Sequence, residues 1–225
     1  MPNYQKQKMD SIRPQWDLTP SDAAALQNLL AGDVIRKSRL TVVETVAGID
    51  TGYRDGMSQA AVVSFKYPGL KPLEQAVSQR PVNFPYIPGL LSFREAPVIL
   101  EALEKLDQLP DLLIIDGHGI AHPRRFGIAC HIGLLLDVPS IGCAKNLLVG
   151  EYAEPGPEQG GFSYLKDQKE IIGAVLRTRS NVKPVFVSIG HRVDLKDCIH
   201  FVLNCCRGFR LPETTRRADR LAVIK

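Results

Sequence analysis

A four-residue apolar run, Leu112–Ile115, leads into Asp116 and a glycine-rich turn, and it constrains the fold more than any other segment. The run is hydrophobic at every position rather than alternating, which is typical of a strand covered on both faces. The carboxyl ends of such strands gather ligand sites in α/β sheets, because side chains there leave the core while the backbone stays rigid. Asp116 is therefore a candidate site residue, with an N-cap or turn residue as the alternative.

The residues after this aspartate favour binding of a negatively charged ligand. Gly117 permits close approach of the backbone to a ligand. His122, Arg124 and Arg125 supply hydrogen-bond donors that suit phosphate. The alternatives are a structural histidine and a surface charge pair.

Length and composition predict a single domain spanning residues 1–225. A chain of 225 residues with 44% hydrophobic content can bury a large core, and no Pro/Ser-rich linker divides it. The net charge of +4 makes a nucleic-acid partner plausible without requiring one. A monomer is the default expectation, because no heptad pattern is apparent.

Cysteine usage and apolar runs predict the compartment. The 5 cysteines include no CxxC pair and fall mostly within apolar segments, which favours a reduced, cytoplasmic location over a zinc site. No run approaches the roughly 20 apolar residues of a membrane span, and the chain has no apolar signal core. We therefore expect a protein that does not insert into a membrane.

Apolar periodicity and turn residues predict an α/β fold with a mixed sheet flanked by helices. The first three strands should form an antiparallel meander, and the later βα alternation predicts parallel strands. Helices are expected at 21–38, 92–106, 126–136 and 195–206. Strands are expected at 42–49, 60–65, 73–82, 112–115, 140–144, 170–178 and 185–189. A turn is expected at 51–53 and a surface loop at 151–168.

Three acids occupy the ends of these predicted elements. Asp50 should end the first strand, Glu95 should open a helix, and Asp116 should end a later strand. A meander followed by a βα unit can bring the two aspartate-bearing strands side by side, so that three oxygen donors converge. Such a cluster repels itself unless a cation joins it, and oxygen ligands favour Mg²⁺ or Mn²⁺ over Zn²⁺. The alternative is three unrelated caps or surface charges.

The sequence FPYIPG at 84–89 is a second unusual block. Pro85 and Pro88 bracket Tyr86 and Ile87 and limit the freedom of the loop. A stiff loop can hold Tyr86 out as a wedge, and an aromatic wedge offsets part of the cost of unstacking a base. The alternative is an ordinary rigid turn with Tyr86 packed on the core.

Six short motifs follow one another through most of the chain. They are GIDTGY at 48–53, FPYIPGLLSFRE at 84–95, IDGHGIAHPRRFGIACHIG at 115–133, GCAKN at 142–146, GHRV at 190–193 and RLPETTRRAD at 210–219. In this order they resemble the motif series of the endonuclease V family. The resemblance implies an RNase H-like fold and a Mg²⁺-dependent endonuclease, in which Mn²⁺ substitutes. It also implies recognition of hypoxanthine in DNA and cleavage of the second phosphodiester bond 3′ to the lesion, which starts repair.

The motif match implies a metal site and its chemistry. Asp50 and Asp116 would be the principal ligands, with Glu95 joining directly or through water. Asp219 matches an acidic position that can complete the metal shell. Lys145 would stabilise charge on the phosphate or help position the water.

The match also implies a recognition surface. His122 would contact a phosphate or act near the leaving oxygen. The backbone around Gly89 and Gly117 would form a pocket for the everted base, beside the wedge Tyr86. Two arginines would anchor phosphates. The expected nucleic-acid contacts are Tyr86, Pro85, Ile87, Gly89, Gly117, Arg124 and Arg125.

Three alternatives stay open at this point. A nucleic-acid-binding module without chemistry is one, although clustered acids that repel phosphate argue against it. A phosphate-ester hydrolase acting on small molecules is another, but it would need no aromatic wedge. Inosine-containing RNA is also a possible substrate, because a contact to the 2′-OH cannot be located in the sequence. The compact chain without long basic extensions favours DNA.

Overall fold

The computed structural model describes residues 16–224. The strands are β1 (Thr45–Arg54), β2 (Met57–Lys66), β3 (Lys71–Pro81), β4 (Leu112–Ile115), β5 (Ser140–Ala144), β6 (Phe162–Asp167), β7 (Glu170–Leu176) and β8 (Val185–His191). The helices are α1 (Pro20–Leu30), α2 (Leu91–Leu103), α3 (Ile128–Leu136), α4 (Leu195–Asn204) and α5 (Glu213–Ala222). A short 3₁₀ turn, Ala31–Asp33, follows α1.

The strands form one mixed sheet in the order β3-β2-β1-β4-β5-β8-β7-β6. Strands β1 to β3 are an antiparallel meander, and β4 pairs in parallel with both β1 and β5. Strands β8, β7 and β6 then continue the sheet in antiparallel pairing. The predicted mixed sheet is confirmed, and its parallel part consists of β1, β4 and β5.

The central strand β4 is covered on both faces, as its apolar run predicts. Leu112 and Ile114 pack in one core cluster, which also contains residues of α4 and α5. Leu113 and Ile115 pack in the other cluster, with residues of α2 and α3. The helices therefore lie on opposite faces of the sheet. Within residues 16–224, no helix has both the length and the apolar character needed to cross a membrane.

The first strand differs from its predicted form. The turn expected at 51–53 is wrong, because β1 runs on to Arg54 and pairs with β2 along its whole length. The reversal lies instead at Asp55 and Gly56, whose φ angles of 51° and 76° fit a two-residue hairpin turn. Asp50 therefore lies inside β1 rather than at its end. Strand β4, the parallel neighbour of β1, ends beside it at Ile115, which pairs with Ile49.

Two other segments also differ from prediction. The first helix ends at Leu30 rather than near residue 38, because the chain beyond it bonds to the end of β8. There, Arg192 N donates to Ile35 O at 2.7 Å and Arg39 N donates to Arg192 O at 2.9 Å. The loop expected at 151–168 contains β6, an edge strand that buries Leu165 and exposes most of its other residues. Helix α5 was not predicted, and the remaining predicted elements are present with ends shifted by a few residues.

Helix α5 lies directly against β1 because two glycines of the strand leave room for it. A Cβ atom at Gly48 would overlap the backbone of Thr214, and one at Gly52 would overlap the backbone of Ala222. The close approach places Asp219 of the helix beside Asp50 of the strand.

Candidate active site

Three aspartates and Lys145 meet near the carboxyl ends of β4 and β5. The side chains of Asp50, Asp116 and Asp219 each offer a carboxylate oxygen, and these oxygens lie within 4.8 Å of one another. Lys145 Nζ is 2.6 Å from Asp116 Oδ2, 2.9 Å from Asp219 Oδ1 and 3.9 Å from Asp50 Oδ2. Four of the residues predicted for the chemistry are thus brought together.

The strands hold two of these carboxylates in place. Asp116 N donates to Ile49 O at 2.9 Å, which extends the pairing of β1 with β4 by one residue. Thr51 N donates to Asp50 Oδ1 at 2.8 Å. Because both attachments involve the backbone, the two side chains leave the sheet from rigid positions.

Electrostatics makes this cluster unfavourable without a cation. Burial raises the pKa of Asp50 to about 8, the charge of Asp116 adds to the rise, and Lys145 opposes it. Burial also raises the pKa of Asp116, again opposed by Lys145. Asp219 is more exposed. Partial burial favours a higher pKa for this carboxyl group, but the hydrogen bond from Lys145 opposes it, and the pKa of Asp219 is lowered. The carboxyl groups of Asp50 and Asp116, which are largely but not fully buried, are therefore hard to ionise as they stand.

The donor set fits a hard divalent cation. When ionised, the cluster has three negative charges and one positive charge, an excess that a divalent cation would balance. All the acidic ligand atoms are carboxylate oxygens, which suit Mg²⁺ or Mn²⁺ better than Zn²⁺. The same cation would lower the pKa of both buried aspartates.

Glu95 lies beside the cluster but outside the group of three. It projects from α2, is 6% exposed and lines a cavity that Asp50 and Asp116 also line. Tyr53 Oη donates to Glu95 Oε1 at 2.9 Å, and the guanidinium of Arg94 lies 4.5 Å from the centre of the Tyr53 ring. Burial raises the pKa of Glu95 to about 7, opposed by hydrogen bonds from Thr51 and Tyr53. Tyr53 is a contact that the sequence patterns did not reveal.

One cavity of about 360 Å³ joins the acids to the predicted recognition residues. Its charged lining comes from Asp50, Glu95, Asp116 and Lys145. Its other lining includes Tyr86, Ile87, Gly89, Gly117, His122, Leu91, Ile128 and Leu148. Only glycine fits position 117, because a Cβ there would lie 2.6 Å from Ile128 Cγ2 at a φ of +151°. The three apolar residues Leu91, Ile128 and Leu148 were not predicted, since their sequence context resembles ordinary core.

Residues 84–90 form a loop braced by Pro85 and Pro88, here called the proline-braced loop, which presents Tyr86 to solvent. Tyr86 is 71% exposed, whereas Phe84 and Leu90 on either side are buried. Arg94 Nη1 donates to Phe84 O at 2.8 Å, and Leu90 N donates to Ile87 O at 2.9 Å. The alternative in which Tyr86 packs on the core is therefore wrong. Tyr86 stands free on a loop that is anchored at both ends.

His122 and Arg124 bind this loop. His122 Nε2 and Arg124 Nη2 lie 2.9 and 2.7 Å from Gly89 O. Arg124 N donates to His122 Nδ1 at 3.1 Å, which places the histidine proton on Nε2. Burial lowers the pKa of His122 to about 4, so the ring is neutral at pH 7. In this structure the two side chains hold the loop, and a phosphate role for either remains a prediction.

Arg125 is held within ion pairs. Its guanidinium bonds Asp167 at 2.7 Å and Glu170 at 2.6 Å. The cavity lining includes neither Arg124, Arg125 nor Pro85, so the structure does not bring these three predicted contacts to the acids. Pro85 is exposed beside Tyr86 on the rim.

The sheet order identifies the class of protein. An antiparallel meander followed by two parallel strands, with aspartates at the junction, is an RNase H-like α/β fold, as the sequence predicts. A family model described as endonuclease V matches residues 28–220, and the chain belongs to the endonuclease V family. The family resemblance noted in the sequence is thereby confirmed.

Individual relatives agree with this assignment. An endonuclease V from Roseiflexus sp. (strain RS-1) is 53% identical over 212 residues, which cover 94% of this chain and 96% of the relative. The crystal structure of endonuclease V from Streptomyces avermitilis is 43% identical with a TM-score of 0.87, covering 92% of both chains. Endonuclease V from Ciona intestinalis, solved with a 24mer DNA containing an inosine followed by a ribo-adenosine, shares the fold at 24% identity and a TM-score of 0.78, covering 90% of this chain and 95% of that one.

Proposed function

We propose that this protein is a Mg²⁺-dependent endonuclease that recognises hypoxanthine in DNA and hydrolyses the second phosphodiester bond 3′ to the lesion, so that repair can begin. One observation carries the proposal. A single cavity joins Asp50 and Asp116 to a glycine-lined, apolar wall that includes the exposed Tyr86. A phosphate-cutting site and a base-sized pocket are thus within reach of the same strand.

The acidic wall supplies the chemistry. A divalent cation held by Asp50, Asp116 and Asp219 would activate the attacking water and polarise the scissile phosphate, with Mn²⁺ able to replace Mg²⁺. Lys145 is placed to stabilise negative charge that develops on the phosphate oxygens. Glu95 accepts hydrogen bonds from Thr51 and Tyr53, and its carboxylate is the group that would take a proton from the water.

The glycine-lined, apolar wall supplies recognition. Tyr86 is positioned to fill the gap that an everted nucleotide leaves in the helix, which offsets part of the cost of unstacking. Because Gly117 has no side chain, Ile128 packs directly against its backbone, and the two residues form a smooth wall against which a flat base could lie. The backbone of this wall would then read the edge of hypoxanthine through its N–H and C=O groups.

The test compares cleavage of matched strands. Three oligonucleotides of one sequence carry deoxyinosine in DNA, deoxyadenosine in DNA, and inosine in RNA, and each is incubated with Mg²⁺ or with EDTA. We expect cleavage of the deoxyinosine strand with Mg²⁺, with product lengths that map the cut to the second 3′ bond. Equal cutting of the deoxyadenosine strand, or undiminished cutting in EDTA, would contradict the proposal. Faster cutting of the RNA strand would instead assign RNA as the substrate.

A further inference from the structure

A second groove borders the active-site cavity, and no residue of the proline-braced loop lines it. It has a volume of about 760 Å³, and the two share Lys145, Asn146 and Leu147 as a common wall. The far part of the groove is lined by Tyr152 and Lys183, among others. Because the two spaces meet at Lys145, Asn146 and Leu147, a polymer lying in the cavity can pass over these residues into the groove.

The charge of the groove suits a polyanion. Its lining includes Lys145, Arg177, Lys183 and Arg210. Arg177 is paired with Glu154 at 2.7 Å and Lys145 with Asp116 at 2.6 Å, so the positive excess comes from Lys183 and Arg210. The positive excess attracts a phosphate backbone.

The cations in the groove have different tasks. Arg210 donates to Lys145 O at 2.6 Å and to Pro184 O at 2.9 Å, so it shapes the groove floor next to the active-site lysine. Arg177 bonds three backbone carbonyls, among them Val182 O at 2.6 Å. Lys183 is exposed and is therefore suited to contact a phosphate directly.

Tyr152 adds a stacking surface. Its ring is 37% exposed and packs edge-on against Phe186, with centroids 5.5 Å apart and an interplanar angle of 77°. Packing restrains the ring without covering it. An aromatic ring beside a cationic groove is the combination that single strands of nucleic acid require, since bases stack while the backbone follows the charge.

We propose that this groove binds the nucleic-acid strand on the 3′ side of the scissile bond, with Tyr152 stacking on a base and Lys183 contacting a phosphate. The direction rests on the proposed function. A lesion held near Tyr86 and a cut 3′ to it leave the downstream strand to continue past Lys145.

The experiment varies the groove and the strand together. Lys183→Gln and Tyr152→Leu are compared with Lys196→Gln and Tyr164→Leu, matched changes at exposed residues outside the groove. Each protein cuts two deoxyinosine strands, one with a long 3′ flank and one ending shortly after the scissile bond. We expect KM for the long strand to rise about tenfold in the groove variants, with kcat and the short-strand KM unchanged. The two control variants should match the wild-type protein.

Two results would overturn the groove assignment: an unchanged KM for the long strand in both groove variants, or an equal loss on both strands. A binding measurement separates this outcome from failure of the proposed function. Fluorescence anisotropy of an unmodified DNA strand in EDTA gives Kd without cleavage. If the wild-type protein cuts no inosine strand, a Kd weakened about tenfold only in the groove variants still supports the groove. No binding by the wild-type protein, or equal Kd in all variants, rejects it.

Discussion

Asp50 and Asp116 line one cavity together with the proline-braced loop, yet the acids and the loop are held in place by different means. Asp50 and Asp116 are fixed by backbone bonds of the sheet. The loop is fixed by two side chains that converge on Gly89 O. The two regions can therefore be altered independently. Changes in the carboxylate cluster should lower kcat, whereas changes around the loop should mainly raise KM.

The largest effect is expected from Asp116→Asn. Loss of a charged ligand removes cation binding at the phosphate, so the single-turnover cleavage rate should fall by about a hundredfold to a thousandfold or more. Asp55→Asn is the matched control, because Asp55 lies in the β1–β2 turn, where asparagine also fits the positive φ. Cleavage by Asp116→Asn at the wild-type rate would disprove the assignment of the cluster to catalysis.

A smaller effect is expected from Tyr86→Ala. Removing the exposed ring should lower kcat/KM on duplex DNA by roughly tenfold to a hundredfold, because one stacked base is worth about 1–3 kcal/mol. Tyr86→Phe keeps the ring and should retain activity. Steady-state kinetics on the deoxyinosine duplex measures both variants. A loss in Tyr86→Phe as large as that in Tyr86→Ala would assign the role to the hydroxyl rather than to stacking.

His122→Ala tests how the proline-braced loop is held in place. The variant removes one of two donors to Gly89 O, so KM should rise about fivefold to tenfold, as expected for roughly 1 kcal/mol of hydrogen bonding. The value of kcat should change little, because the ring has no partner in the carboxylate cluster. Arg124→Gln removes the other donor and should behave alike. A large fall in kcat with an unchanged KM would instead favour a direct role for His122 at the phosphate.

The smallest effect concerns stability and pH. The pKa of Asp50 is raised from 3.8 to about 8. The favourable contribution of this group to the free energy of unfolding is therefore fully present below pH 4 and is lost as the pH rises to 8. Metal-free protein should therefore gain more from Mg²⁺ at pH 8 than at pH 6, by several degrees in Tm, because 1 kcal/mol shifts Tm by about 2–4 °C at this size. Thermal unfolding in EDTA and in Mg²⁺ tests this. In Asp50→Asn the pH dependence of the Mg²⁺ effect should shrink.

The sequence predicts the central strands well and the outer ones less well. Strands β4 and β5 lie where they were expected, because short, wholly apolar runs between turn residues have few other uses. The glycines of the motif GIDTGY predict a strand end, because glycine is common in turns. Its glycines are required instead for contact with α5, a helix more than 150 residues away, and such a contact leaves no local pattern.

The candidate site shows the same limit. Its acids and lysine could be predicted from residue type and strand position, and the structure brings Asp50, Asp116, Asp219 and Lys145 together. The bond from His122 to Gly89 O could not, because it spans 33 residues and depends on how two loops meet. A histidine near arginines suggests phosphate binding, and only the fold reveals the carbonyl between them.

The contact between β1 and α5 also orders events during protein synthesis. The ribosome completes residues 50 and 116 long before residue 219, so the emerging chain can pair β1 with β4 while its third carboxylate is still unmade. A product interrupted before Glu213 would lack both that carboxylate and the helix that covers β1. Cutting ability should thus appear only after all eight strands of the sheet have been translated.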